Sequence, residues 1–174
     1  MDLASYLDFY ENWPKPGIKF CDIWPLLNAA DARKKLLYSV KQKWASSIDG
    51  AEEIYLGAIE SRGFAVAGML SNLPKNIFVP IRKAGKLPPF DVVSEDISLE
   101  YGTCTIEMFK SKSHGANMLL VDDVLATGGT LYGAKKLAEK AGYNVIGAVV
   151  LVNLLAVKKE HNWPSRQLYS LLEV

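Results

Sequence analysis

Apolar positions along the chain fall into two rhythms. Short runs that are apolar at nearly every position, Ile54 to Ile59, Ile77 to Ile81, Met118 to Val121 and Asn144 to Asn153, have the length of strands buried on both faces. Other runs place apolar residues three and four apart, which predicts helices. Ala32, Leu36, Leu37, Val40 and Trp44 mark one face of a helix to about Ile48 with Asp31 as its N-cap; Phe64 to Leu73 forms a second. Leu131, Ala134, Leu137, Ala138 and Ala141 form a third, ended by Gly142. Two alternating segments, Ile97-Leu99-Tyr101 and Cys104-Ile106-Met108, predict a β-ribbon hinged near Gly102. Leu87 to Glu95 is expected to be irregular, and Leu168 to Leu172 to close the sheet at an edge. At the start, Leu3, Leu7 and Tyr10 have helical spacing; Trp13-Pro14-Lys15-Pro16-Gly17 stops it, and an irregular lead-in to Phe20-Cys21-Asp22-Ile23 follows.

Strands alternating with helices predict one α/β domain over residues 1–174. Its mainly parallel twisted sheet is flanked by helices, with a hood from roughly residues 1–30 and a flexible β-ribbon lid over roughly residues 83–109. Charge changes little in this picture. Twenty basic against 19 acidic side chains leave +1, so no global basic footprint argues for nucleic acid. The longest apolar stretch, Val145 to Val152, is short of the roughly 20 residues a bilayer span needs, and the first residues lack the pattern of a signal peptide. Cys21 and Cys104 have no metal-ligand spacing and suggest reduced thiols in a cytoplasmic protein. His114 and His161 lie in polar turns and are expected at the surface.

The candidate chemistry sits where the third strand meets its helix, Leu119-Leu120-Val121-Asp122-Asp123-Val124-Leu125-Ala126-Thr127-Gly128-Gly129-Thr130. In an open α/β sheet, ligands bind at the carboxyl ends of the strands. Backbone N–H groups at a helix start, two threonine hydroxyls and two glycines make a cradle sized for a phosphate. Asp122 and Asp123 would repel that phosphate; they suit sugar hydroxyls, or hydrated Mg²⁺ on a polyphosphate. A phosphate at one end and diol-binding acids at the other describe a ribose 5-phosphate. Glu60-Ser61-Arg62-Gly63, at another strand-to-helix turn, makes a second anion site from amides and a cation. Arg82, Lys83 and Lys86, three cations in five residues, supply the neutralisation a leaving pyrophosphate needs, or else form a solvated loop. Phe20 is either a core aromatic or a ring on which a purine stacks, and Glu100 either faces solvent or handles a proton.

The acid pair followed by Thr-Gly-Gly-Thr resembles the phosphoribosyl-pyrophosphate (PRPP) motif of the type I phosphoribosyltransferases. Pro16 to Ile23, Glu60 to Phe64, Ile81 to Pro88 and Ser98 to Gly102 resemble the family's adenine branch, and the likeness runs from about Pro14 to Leu172. It implies transfer of phosphoribose from PRPP to adenine, giving AMP and pyrophosphate, with Mg²⁺ carried mainly on PRPP and touching Asp122 or Asp123 through water. It assigns Ala126, Thr127, Gly128, Gly129 and Thr130 to the 5-phosphate, and Ser61, Arg62, Arg82, Lys83 and Lys86 to pyrophosphate. Lys19, Phe20, Cys21 and Val124 go to adenine, Glu100 to proton transfer and Tyr101 to the lid. A cis peptide before Ser61 and a homodimer follow from the same likeness. Lys19, Cys21 and Asn153 depart from the branch's common residues, relatives commonly having a small apolar residue, Arg and Glu there. A hypoxanthine or guanine phosphoribosyltransferase, or a PRPP-sensing regulator without catalysis, are the alternatives.

Overall fold

The computed structural model describes residues 2–48, 53–72, 75–99, 102–161, 163–164 and 167–174. They belong to two compact units, residues 1–49 with Val174 and residues 50–173.

In the first unit Leu3 and Leu7 are buried, but a single 3-10 turn, Ala4–Tyr6, brings them inward rather than a helix reaching Tyr10. The chain then forms a hairpin where an irregular lead-in was expected: β1 (Asp8–Glu11) pairs antiparallel with β2 (Lys19–Asp22), Phe9 opposite Cys21 and Tyr10 opposite Phe20. Periodicity hid this strand because all four residues of β1 are exposed and no buried face marks it. The connection turns through Asn12 at φ 60° and Gly17 at φ 86°, and Gly17 N–H donates to Asn12 Oδ1 at 2.9 Å. A short helix α1 (Trp24–Asn28), which no pattern foretold, starts with Pro25 in its first turn, where a missing N–H costs nothing. Helix α2 (Ala30–Ile48) begins one residue before Asp31, which therefore lies in the first turn, favourable to the helix dipole, and not at the cap. Ala32, Leu36 and Val40 are buried as the spacing requires. Arg33 donates Nη1 to the Leu27 carbonyl at 2.6 Å.

The second unit is built on a seven-stranded sheet, order β5-β6-β4-β3-β7-β8-β9. β3 (Ile54–Ile59), β4 (Asn76–Lys83), β7 (Asn117–Leu125), β8 (Asn144–Asn153) and β9 (Leu168–Glu173) are mutually parallel. β5 (Val92–Leu99) and β6 (Gly102–Phe109) add an antiparallel ribbon at the edge next to β4, where Arg82 opposes Glu107 and Lys83 opposes Ile106. The mainly parallel sheet flanked by helices is thus as the pattern foretold, with β9 at its edge. Helix α3 (Arg62–Leu70) starts two residues before Phe64, so Arg62 is helical rather than part of the preceding turn. Helix α4 (Gly129–Lys140) likewise takes in Gly129 and Thr130.

β5 begins at Val92, inside a stretch expected to be irregular. Its polar Ser94, Glu95 and Asp96 obscure the alternation, and the strand is fixed by partners distant in sequence. Thr105 donates to Asp96 Oδ1 at 2.6 Å, and Lys140 donates to the Ser94 carbonyl at 2.7 Å and lies 3.8 Å from Glu95 Oε2. Ile97 packs so tightly on Gly133 of α4 that a Cβ there would collide with Cγ2. Among the described residues no helix is long and apolar enough to cross a membrane.

Candidate active site

Asp122 and Asp123 are the sixth and seventh of the nine residues of β7, which continues to Leu125, so they lie inside the strand and not beyond its end. Both are nearly closed off from solvent, at 7% and 6% exposure. Asp123 N–H donates to Asp122 Oδ1 at 2.9 Å, and Arg62 Nε lies 2.7 Å from Asp123 Oδ2, an ion contact whose angle does not make it a hydrogen bond. Burial first, then the neighbouring Asp123 charge, holds the Asp122 carboxyl well above the usual carboxylate range, against the lowering influence of Arg62. The first turn of α3 approaches the acids because residue 63 has no side chain: a Cβ on Gly63 would lie 2.8 Å from the Val121 carbonyl oxygen and 3.3 Å from Asp122 Oδ1. Gly63 is therefore more than a turn residue, since it lets Arg62 reach Asp123. The peptide between Glu60 and Ser61 is cis, as the resemblance implied.

The loop after β7 has its carbonyls turned to one side. Lys159 Nζ donates to the carbonyls of Leu125 (3.2 Å), Ala126 (2.7 Å) and Leu154 (2.7 Å). The N–H groups of Glu160 and His161 donate to the Thr127 carbonyl at 3.0 and 3.4 Å. In a trans peptide C=O and N–H point opposite ways, so the amides of Ala126, Thr127 and Gly128 face away from this segment. Gly128 adopts φ 93° as the residue before α4, and a Cβ there would sit 2.9 Å from the His161 carbonyl oxygen. His161 is consequently half-buried, its ring stacked on Tyr132 at 4.3 Å, and not a free surface residue; His114 is exposed as expected.

The basic loop is held by two acids: Glu60, named above only as part of the second anion site, and Glu107, which sequence reasoning passed over. Glu60 Oε2 accepts Arg82 Nε at 3.2 Å and Lys83 N–H at 3.1 Å. Glu107, 8% exposed, accepts the N–H groups of Lys86 (2.9 Å) and Leu87 (2.8 Å). Arg82 also donates to the Lys86 carbonyl at 3.1 Å, so its guanidinium braces the loop, while Lys83 and Lys86 are exposed. Burial works to raise the Glu107 carboxyl, but the amides of Leu87, Gly85 and Lys86 and the Arg82 charge outweigh it, and the net shift is downward. The stabilisation it contributes is complete above its ordinary value of 4.5 and is lost as pH falls through the lower folded value. Glu107→Ala takes the charged acceptor from the part-buried Lys86 and Leu87 amides and should cost about 1–3 kcal/mol. It should also weaken pyrophosphate binding, measured by calorimetry, and the stability difference from wild type should shrink below pH 4. Unchanged pyrophosphate affinity would show that loop shape does not matter to the anion.

Of the remaining expected residues, Val124 follows the acids on β7 and is half-buried, and Ser61 precedes α3 with its side chain exposed. In the first unit, Lys19 is exposed and pairs with Glu11 at 3.5 Å, Cys21 is buried, and the Phe20 ring meets the Trp13 ring edge-on at 4.5 Å. Glu100 and Tyr101 lie outside the described residues. Asn153, at the end of β8, is 9% exposed and its Oδ1 has no hydrogen-bond partner among the described residues. Nothing in the structure explains the amide there. No group of three or more His, Cys, Asp or Glu among the described residues is arranged to hold a metal.

An acid pair beside an amide cradle, with Arg62 in the first turn of the helix that follows the adjacent strand β3, is the arrangement of a protein suited to phosphorylated sugars. The sequence matches the family model of the phosphoribosyl transferase domain over residues 27–168, and the chain belongs to that family. Within it, the likeness is to its adenine members. The adenine phosphoribosyltransferase of Bdellovibrio bacteriovorus is 44% identical over 159 residues, covering 91% of this chain and 92% of that protein. The crystal structure of adenine phosphoribosyltransferase from Rhodothermus marinus superposes with a TM-score of 0.85 at 33% identity, covering 99% of this chain and 96% of that one. The Saccharomyces cerevisiae enzyme, complexed with an imino-altritol bisphosphate and adenine, gives 0.84 at 30% identity over 98% and 96%.

Proposed function

We propose that this chain transfers the 5-phosphoribosyl group of PRPP to adenine, forming AMP and pyrophosphate in purine salvage. The observation that carries the reading is the consecutive turning-away of the Leu125, Ala126 and Thr127 carbonyls, which leaves three amides to a phosphate one step from two buried carboxylates. The relatives' names and the adenine in the yeast complex support the choice of base.

The C1′–O bond to pyrophosphate breaks, the purine N9 bonds to C1′, and the N9 proton leaves to a base. Positive charge builds on the ribose as it does so, which makes charge placement the main catalytic resource. Ala126 to Thr130 anchor the 5-phosphate, and Asp122 and Asp123 accept the ribose hydroxyls. Ser61, Arg62, Lys83 and Lys86 receive pyrophosphate, with Arg82 holding the loop and lending charge. Val124 lines the base's side of the acid pair. Phe20, Lys19 and Cys21 of the first unit are assigned to the purine, Glu100 to proton transfer and Tyr101 to the lid. Among the described residues the acid pair offers two carboxylates, one of them against Arg62, which suits a cation that arrives on the substrate. Mg²⁺ on PRPP would neutralise the departing pyrophosphate, with Asp122 or Asp123 reaching it through water.

Turnover of labelled adenine with PRPP and Mg²⁺, with guanine and hypoxanthine as controls, tests the reading. Formation of AMP and pyrophosphate only when adenine and PRPP are both present is the expected result. Preference for a 6-oxopurine overturns the base assignment, and binding of PRPP without turnover leaves a sensor. In the same assay Glu100→Gln should depress turnover far more than PRPP affinity; normal turnover would remove its proton-transfer role. A homodimer and a cytoplasmic location belong to the same proposal, and light scattering in solution checks the first.

A further inference from the structure

We infer that Lys159 is a positioning residue for phosphate recognition, acting through the backbone of the cradle without touching the ligand. The inference rests on the reading that Ala126 to Thr130 hold the terminal phosphate. An ammonium has three N–H bonds to give. Lys159 directs Nζ at three backbone carbonyls, those of Leu125, Ala126 and Leu154. With those bonds made it has no donor left for a phosphate.

The effect on the cradle is geometric and electronic. The Leu125 and Ala126 carbonyls belong to the same peptide units as the amides of Ala126 and Thr127. Pinning each oxygen to Lys159 fixes the plane of that peptide and so the direction of its N–H. A cation on the oxygen also draws charge along the peptide, which makes its N–H a stronger donor to an anion on the other side. The N–H groups of Glu160 and His161 do the same, without the charge, for the Thr127 carbonyl and hence the Gly128 amide. Lys159 also joins the loop to the segment after β8, because the same ammonium holds Leu154, whose N–H in turn donates to the Leu125 carbonyl at 3.0 Å. Burial lowers the Lys159 pKa from its ordinary value of 10.5, while the three carbonyls favour its charged form.

The test compares AMP with adenosine, which lacks the phosphate, on the full chain by calorimetry. Lys159→Met should weaken AMP and raise the KM for PRPP by roughly 10-fold or more, the scale of lost charge-assisted hydrogen bonds. Adenosine affinity and the KM for adenine should stay within about twofold. Lys158→Met, the exposed neighbour, should match wild type. AMP affinity within about twofold of wild type, or an equal loss for AMP and adenosine, overturns the inference; the second result marks Lys159 as a general support of the fold. Should Lys159→Met not fold, Lys159→Gln, which keeps two N–H donors without the charge, is judged by the same AMP-selective loss. Failure of the underlying reading looks different: wild type itself would then bind AMP no better than adenosine.

Discussion

Asp122→Asn is expected to make the protein more stable and much less active. The Asp122 carboxyl is buried beside Asp123 and held well above its ordinary value of 3.8. A group whose folded pKa is raised adds stability below its unfolded value and loses it as pH rises through the folded one. The charged form is therefore a cost to the fold, and a neutral side chain of the same shape removes it. The gain should show as a higher Tm. The gap from wild type should narrow as pH is lowered toward the ordinary value of 3.8. Activity moves the other way. An amide replaces a charged acceptor for the ribose hydroxyls, so kcat/KM should fall roughly 10- to 150-fold. A variant of unaltered activity would take Asp122 out of sugar binding, and a lower Tm would show that repulsion and burial are not what governs it. Sites that give up stability for function commonly behave in this paired way.

Gly128→Ala should have the second largest effect. At φ 93° an L side chain is strained, and its Cβ would stand 2.9 Å from the His161 carbonyl oxygen, which is backbone and cannot rotate aside. Relief requires the loop to turn or the 159–161 segment to withdraw, and either loosens the carbonyls that orient the amides. A loss of about 1–3 kcal/mol follows, with the KM for PRPP raised roughly 10-fold or more and kcat at saturation changed less. Gly68→Ala is the control: nothing lies within 4 Å of its Cβ in helix α3, and it should slightly stabilise the protein. A PRPP KM for Gly128→Ala equal to that of Gly68→Ala would mean the loop's shape is not what binds the phosphate.

The sequence by itself determined the parallel strands, the order in which they alternate with helices, and the loop that carries the acids. Those features are local: a run such as Met118 to Val121 is apolar because both faces of β7 are covered, and two glycines with two threonines announce a close backbone turn wherever they fall. What lay on exposed or edge strands was less legible. β1 and the first half of β5 carry polar residues on faces that only their hairpin partners explain. The supports of the site were not legible at all. Lys159 sits in a Lys-Lys-Glu-His run that reads as solvated, Glu107 on a strand position that alternation assigns to solvent, and Gly63 in a turn that needs no special reason. Each matters because of a backbone group far along the chain: three carbonyls for Lys159, two amides for Glu107, the Val121 oxygen for Gly63. Hydrogen-bond partners and distances of closest approach are properties of the folded backbone, and a string of side-chain identities does not contain them until tertiary structure brings the segments together.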